Sequence, residues 1–256
     1  MELQFDRVTK RFGDLSVIKQ FDTTIKTGEI VALVGPSGCG KSTLLHMVAG
    51  LQSASTGTLT ANGKSIEKPA PERTLVFQEH ALYPWMTLIE NVALALEFQG
   101  QPKQTAREEA NKWLGRVKLT GFEAYYPHQI SGGMRQRCAL ARAFIARPQV
   151  LLLDEPFGAL DALTRMTLQS VLKDLIDDER PTVVLVTHDV DEALYLADRV
   201  LVFSNRPAVV LKEITLEHIP KTHDLSAFAD IRRNVLNLLG IDTDTPSTGV
   251  EKGEAI

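Results

Sequence analysis

Cysteine is scarce: two residues, Cys39 and Cys138, stand in a chain of 256. That is too few for a disulfide framework and removes the small secreted scaffolds from consideration. Neither sign of charge dominates, with 28 Lys and Arg against 32 Asp and Glu, a formal net charge of −4. A chain built mainly to hold nucleic acid usually carries a basic excess, so that class is disfavoured. Long hydrophobic runs are missing as well. Runs such as 30–34 and 183–186 fall far short of the roughly 20 residues that span a bilayer. The opening Met1-Glu2-Leu3-Gln4-Phe5-Asp6 holds two acids and no long apolar stretch, so no targeting leader is expected. No internal repeat is visible. What remains is ordinary globular material, 44% hydrophobic and 23% charged. At roughly 150 residues per domain, it suits one large domain, or one domain with a subdomain. A soluble intracellular chain is expected; if it works at a membrane, another chain must hold it there.

Residues 2–8 alternate polar and apolar, as a half-buried strand does, whereas 17–27 are mixed. The unbroken apolar runs 30–34, 150–153 and 182–186 read as strands buried on both faces. Asn62-Gly63 inside 57–66 is a hairpin signal. Residues 74–77 read as a short strand, and 199–203 and 208–213 as two more. From Met86 to about Ala124 the pattern is helical, with breaks at Gly100-Gln101-Pro102 and Gly121. Further helices are expected from Lys41, over 131–147, 160–175 and 189–196, and last over 225–239. Helix and parallel strand alternate through the middle, with antiparallel hairpins near the start. This predicts an α/β fold with a mainly parallel sheet, an N-terminal antiparallel β subdomain and an inserted helical subdomain at about 86–147. The domain is expected over 1–240, followed at 241–256 by a polar, flexible tail.

The segment Gly35-Pro36-Ser37-Gly38-Cys39-Gly40-Lys41-Ser42 fits the pattern G-x-x-x-x-G-K-[ST]. Its glycines let successive backbone N–H groups turn toward one anion, and the helix that follows adds its positive end. Lys41 can neutralise β- and γ-phosphates. Ser42 offers a hydroxyl to Mg²⁺, which prefers hard oxygens, and Thr43 meets the α-phosphate. A chance match in a glycine-rich turn is the bland reading, but a buried strand before and an apolar helix after supply the required context. The run Val150-Leu151-Leu152-Leu153-Asp154-Glu155 ends a second buried strand in two carboxylates. Asp154 would hold Mg²⁺. Glu155, leaving the other face of the pleat, could polarise water in line with the γ-phosphate. Alone this would pass for a solvated turn; beside the phosphate loop it reads as a P-loop NTPase that binds a nucleotide and Mg²⁺.

Three further segments occur in order: Ile130-Ser131-Gly132-Gly133-Met134-Arg135-Gln136-Arg137, Gly158-Ala159-Leu160-Asp161, and Val186-Thr187-His188-Asp189. Together with the two above, they resemble the ATP-binding subunit of ABC transporters, over about residues 2–215. The resemblance implies that Ser131, Gly132 and Gly133 form a signature segment set against the nucleotide of an opposite subunit, so that hydrolysis needs a head-to-tail dimer. It implies that Gln78 touches Mg²⁺ and the attacking water, that His188 contacts the γ-phosphate and orients Glu155 or the water, and that Asp161 crosses the dimer interface. It places Phe12 on the adenine ring, where a core phenylalanine is the rival reading. It matches the phosphate-loop Cys39 to a position that is often cysteine in the family. The segment departs from the usual Leu-Ser-Gly-Gly-Gln in having Ile130 and Met134; Met134 removes an amide from the fifth position. Cys138 falls beside Leu140, Ala141 and Phe144 and is expected in the core.

His80-Ala81-Leu82-Tyr83-Pro84-Trp85-Met86-Thr87 follows Gln78. In the resemblance this region faces the membrane permease, and Trp85 is either a partner contact or a buried ring of the helical subdomain. Pro84-Trp85, Ser131–Arg137 and 186–199 look like the nitrate/sulfonate/taurine-type importers. The chain is therefore expected to act as a peripheral subunit on the cytoplasmic face of the plasma membrane, with permease subunits and, indirectly, a solute-binding protein as partners. A soluble ABC ATPase acting on a macromolecule is the alternative. A GTPase would need Asn-Lys-x-Asp, which Asn111-Lys112-Trp113-Leu114 does not supply. A metabolic kinase would lack Ser131-Gly132-Gly133 and His188. A non-hydrolysing subunit fits poorly with Glu155.

Overall fold

The computed structural model describes residues 1–77, 81–158, 160–216 and 219–241. In chain order its elements are β1 (Leu3–Phe12), β2 (Leu15–Ile25), β3 (Ile30–Val34), α1 (Lys41–Ala49), β4 (Thr56–Ala61), β5 (Lys64–Ser65) and β6 (Arg73–Val76). There follow α2 (Leu88–Phe98), α3 (Lys103–Arg116), α4 (Gly132–Ile145), β7 (Val150–Asp154), α5 (Ala162–Glu179) and β8 (Thr182–Thr187). The series ends with α6 (Val190–Leu196), β9 (Arg199–Phe203), β10 (Val210–Thr215) and α7 (Ala229–Leu238). Gln78 and the expected tail from 242 lie outside the described residues.

The strands form two sheets. An antiparallel sheet runs β2-β1-β4-β5, and a larger one runs β10-β9-β3-β8-β7-β6. In the larger sheet β9, β3, β8, β7 and β6 are parallel, and β10 is antiparallel to β9. The chain is thus α/β, as the apolar runs require. Alternate residues of each central strand go to opposite cores. Val31 and Leu33 join Leu152, Val184, Val186 and the α1 residues Leu44, Leu45 and Met47, covered by the smaller sheet through Phe5 and Phe21. Ala32 and Val34 join Leu151, Leu153 and the helices α2–α6 on the other side. Burial on both faces is why these strands show no polar alternation.

Asn62 and Gly63 both have positive φ and close the β4–β5 hairpin. The smaller sheet shows why 17–27 looked mixed: β1 and β2 pair with repeated register shifts between Phe5 and Arg11. Each shift breaks the two-residue period on which a strand pattern depends. Thr87 caps α2 through a capping box with Glu90. Buried Asn91 binds the backbone of Tyr83, Met86 and Thr87, fixing the turn before α2. Trp113 of α3 stacks on Phe144 of α4. Cys138 is fully buried, and burial pushes its thiol up to about 12. Trp85 is 70% exposed, so the buried alternative for that ring does not hold.

Candidate active site

Three neighbouring parallel strands end at one edge of the larger sheet. Val34 of β3 pairs with Thr187 of β8, and Asp154 of β7 pairs with Val186 of β8. The loops after β3, β8 and β7 therefore emerge side by side, where ligands gather in open α/β sheets. The loop after β3 is the glycine-rich segment. Gly40 ends it with φ 127°, and a Cβ there would meet Val17 Cγ1 at 2.8 Å, so both conformation and space demand glycine. Lys41 opens α1 and is buried; its Nζ donates to the carbonyls of Gly35 at 2.7 Å and Pro36 at 2.9 Å. An ammonium held in this way lies against the loop backbone, at the positive end of α1.

Ser42 Oγ donates to Asp154 Oδ1 at 2.9 Å. Burial raises the Asp154 carboxyl above its ordinary range, and the Ser42 hydrogen bond opposes that shift. Two hard oxygens thus meet where β3 and β7 end. Among the described residues no cluster of three or more His, Cys, Asp or Glu side chains could hold a metal ion. The Ser42–Asp154 pair instead suits Mg²⁺, which takes one or two protein oxygens and completes its shell with phosphates and water.

One residue on, Glu155 stands at φ 45°, left-handed backbone that costs a non-glycine residue about 1–2 kcal/mol. Its N–H donates to the Val186 carbonyl at 2.9 Å. Its Oε2 lies 3.2 Å from His188 Nδ1. The strained turn thus aims Glu155 at the residue that follows β8, and strain of this kind gathers at functional sites.

A cavity of about 220 Å³ beside the loop is lined by Gly38, Gly40, Lys41, Ser42, Thr43 and Glu155, with Phe12, Leu15, Val17 and Arg206 on the far side. Phe12 is 48% exposed and carries Lys10 Nζ at 4.8 Å from its ring centre, so the core reading of Phe12 does not hold. Gly35, Pro36 and Ser37 lie outside this lining; the first two serve through their carbonyls, and Cys39 is buried beneath. Leu15, Val17 and Arg206 are the members of the wall that the sequence did not disclose, and Arg206 is the charged one. Its Nε donates to the Gly38 carbonyl at 3.1 Å. It sits far along the chain in no recognisable pattern, and only the pairing of residue 208 with β2 brings it here.

Ser131, Gly132, Gly133 and Asp161 do not line that cavity. Ser131 caps α4, its Oγ accepting from Met134 N at 3.3 Å. Asp161 caps α5 in the same way, accepting from Thr164 N at 3.0 Å, and that N–H holds the carboxyl below its ordinary range. The two caps lie together. A Cβ on Gly133 would meet Thr164 Cγ2 at 2.4 Å, and one on Gly132 would lie 3.8 Å from Leu160 Cδ2.

A glycine-rich phosphate cradle between parallel strand and helix, with its hydroxyl–carboxylate and carboxylate–imidazole pairs on adjacent strand ends, defines a P-loop nucleotide hydrolase. Residues 18–158 match the ABC transporter family, and the chain belongs to it; it is an ATPase of that family. A putative ATP-binding protein of Brucella abortus (strain 2308) is 44% identical over 238 residues, 91% of this chain and 92% of the relative. The aliphatic sulfonates import ATP-binding protein SsuB of Bacillus cereus (strain ZK / E33L) is 41% identical over 241 residues, 92% of this chain and 95% of the relative. Among solved structures, the dimeric bacterial ABC transporter cassette MJ0796 is similar at a TM-score of 0.75 and 31% identity, covering 85% of this chain and all of that one. Its dimeric post-hydrolysis state, bound to ADP and Pi, is similar at a TM-score of 0.73 and 30% identity, with the same coverage. No described helix is long and apolar enough to cross a membrane.

Proposed function

We propose that the chain is the ATP-hydrolysing subunit of an ABC importer for a small anion of the nitrate, sulfonate or taurine kind, working as a head-to-tail pair of ATPase subunits. The 3.2 Å contact between Glu155 and His188, beside the Ser42–Asp154 pair, carries the hydrolytic part of the reading. Loop N–H groups, Lys41 and Thr43 bind the phosphates, and Phe12 covers the base. Ser42 and Asp154 would hold Mg²⁺, joined by Gln78 on the family resemblance alone, and the ion when bound would neutralise charge on the β- and γ-phosphates. Glu155 accepts the proton of the attacking water, and His188 keeps the carboxylate and water in line. The chemistry is positioning and charge stabilisation rather than covalent catalysis.

The two-subunit part is supported by the placement of Ser131, Gly132, Gly133 and Asp161 outside the cavity of their own chain. Of this rim, Ser131 and Asp161 are exposed while Gly133 is buried beneath them, and Leu163, two residues past Asp161, is 78% exposed. A permease partner is supported by an apolar groove of about 530 Å³ whose lining includes Phe77, Tyr83, Leu94, Phe98 and Arg142. Phe98 is 79% exposed there, and the Trp85 ring leans on Tyr83 at 5.5 Å. Exposed aromatics beside an apolar trough suit a helix of a partner chain. The subunit accordingly sits at the cytoplasmic face of the membrane through its permease. The likeness to the aliphatic sulfonates import ATP-binding protein of Bacillus cereus supports a sulfonate as the solute.

Replacing Glu155 by Gln keeps the shape and removes the base. ATP affinity is expected to stay within about twofold, while turnover falls by about 10²–10⁴-fold. Steady-state hydrolysis near the native rate would overturn the role of Glu155. With permease and binding protein in vesicles, an alkanesulfonate should raise ATP turnover; stimulation by unrelated solutes alone would overturn the solute class.

A further inference from the structure

The rim and the hydrolytic pair are joined by one side chain. Arg165, in the second turn of α5, points its fork two ways. Nη2 donates to the carbonyl of Leu160 at 3.1 Å, the residue before Asp161. Nη1 meets Asp189 Oδ2 at 3.2 Å, the residue after His188. Both ends are firm. Asp189 Oδ1 accepts from Asp191 N at 2.9 Å and Glu192 N at 3.2 Å, capping α6, while Asp189 N donates to Thr187 Oγ1 at 3.0 Å. Leu160 lies against Gly132, and Thr164 against Gly133. The loop between Glu155 and Asp161 is thus held twice to the turn after β8: at its start by Glu155–His188, at its end by Arg165–Asp189.

The fork also has room to move. Arg165 Nε and Glu192 Oε1 are buried without a hydrogen-bond partner, and both residues line one cavity of about 170 Å³. A guanidinium presents five donors in a fixed plane, so a shift of either loop changes which acceptors it can reach.

We propose that Arg165 is a positioning residue that carries the closure of a second copy on the 131–133 and 160–161 rim to the Glu155–His188 pair of the same chain, so that each nucleotide site senses the occupancy of the other. The inference rests on the two-subunit reading above. It assigns Arg165 no contact with nucleotide; its work is to keep two loops in register.

The test uses the full chain with Arg165→Gln, Arg165→Lys, Asp189→Asn and the Arg165→Gln/Asp189→Asn pair. Lys keeps the charge but replaces the planar fork by a single, more mobile nitrogen, so it holds the two acceptors in a less fixed geometry. Arg165→Gln and Arg165→Lys are both expected to lower kcat by about 10-fold or more, as small misplacements do. KM for ATP and ATP-driven pairing in a Glu155→Gln background should stay within about twofold of their parents. The Hill coefficient for ATP should fall toward 1, a readout that loss of stability alone would not move. The double variant should be no worse than the more impaired single, because both cut the same link. Native kcat and cooperativity in Arg165→Lys would overturn the proposal even where Arg165→Gln fails to fold. So would losses that multiply in the double variant. If the native chain itself shows no ATP-driven pairing, the two-subunit reading falls first; if it pairs and the Arg165 variants stay cooperative, only this link falls.

Discussion

The wall that faces the cavity and the rim that faces away from it are built on opposite terms. In the wall the polar groups are tied down within one chain: Lys41 to Gly35 and Pro36, Ser42 to Asp154, Glu155 to His188, Arg206 to Gly38. On the rim and the groove the side chains that matter are left outward: Asp161, Leu163, Trp85 and Phe98 are all exposed. A preorganised wall holds charge without rearrangement. On the rim Ser131 and Asp161 cap their own helices, and both lie outside the cavity, as the proposed meeting with a second chain requires.

Substitutions can break that contrast from either side. The largest effect is expected inside the wall. Gly40→Ala forces a Cβ into Val17 and onto a φ that alanine avoids. It should abolish measurable ATP binding by the isolated chain in equilibrium titration, and unchanged affinity would show the cradle to be softer than its geometry. Next comes Ser131→Arg, which loads the rim while leaving the wall alone. Each chain should still bind ATP, but ATP-driven pairing should disappear from sedimentation profiles, with turnover reduced about 10²-fold. A variant that pairs normally would return Ser131 to a simple helix cap. Trp85→Ala is milder still: ATPase of the isolated subunit should be native, while co-purification with the permease weakens, by about 2 kcal/mol for a contact aromatic. Unaltered assembly would separate Trp85 from that surface.

The smallest effect tests the floor beneath both regions. Glu192 is buried under the His188 turn, its Oε2 accepting from Thr187 Oγ1 at 3.1 Å, and burial raises its carboxyl to about 8. The folded chain therefore keeps a proton that the unfolded chain releases near the ordinary carboxylate range. Stability gained from that proton is full below about pH 4.5 and is lost as pH rises toward 8. Besides Thr187, the groups that face Glu192 are Asp189, Arg165 and Glu155. Glu192→Gln carries no proton to lose, so its Tm should vary less between pH 6 and 8, by roughly 2–4 °C for each kcal/mol removed. A pH slope equal to the native one would assign the dependence to another group.

Most of the wall was legible in the sequence because its chemistry is local. A glycine-rich loop, a lysine, a serine and a strand ending in two acids are contiguous words, and the buried runs around them name their own strands. The element ends moved by only a few residues: the helix expected at 131–147 is Gly132–Ile145 with Ser131 as its cap, and that expected at 160–175 is Ala162–Glu179. What stayed hidden is what long-range pairing creates. β2 escaped because register shifts erase its alternation. Arg206 reaches the loop only because the chain after β9 returns to β2. Arg165 belongs to no motif, because its two acceptors, Leu160 and Asp189, belong to different turns.

The strand order has a consequence for how the molecule is made. β3 is flanked by β8 and β9, with Val31 paired to Val184 and to Arg199, partners synthesised some 150 residues later. While a ribosome is still translating the helices, the phosphate loop has no sheet to anchor it and its apolar strand has no neighbour. Such a nascent chain is slow to complete and open to misassociation. Nucleotide can greet this protein only near the end of its synthesis, and shielding by chaperones until then would serve it well.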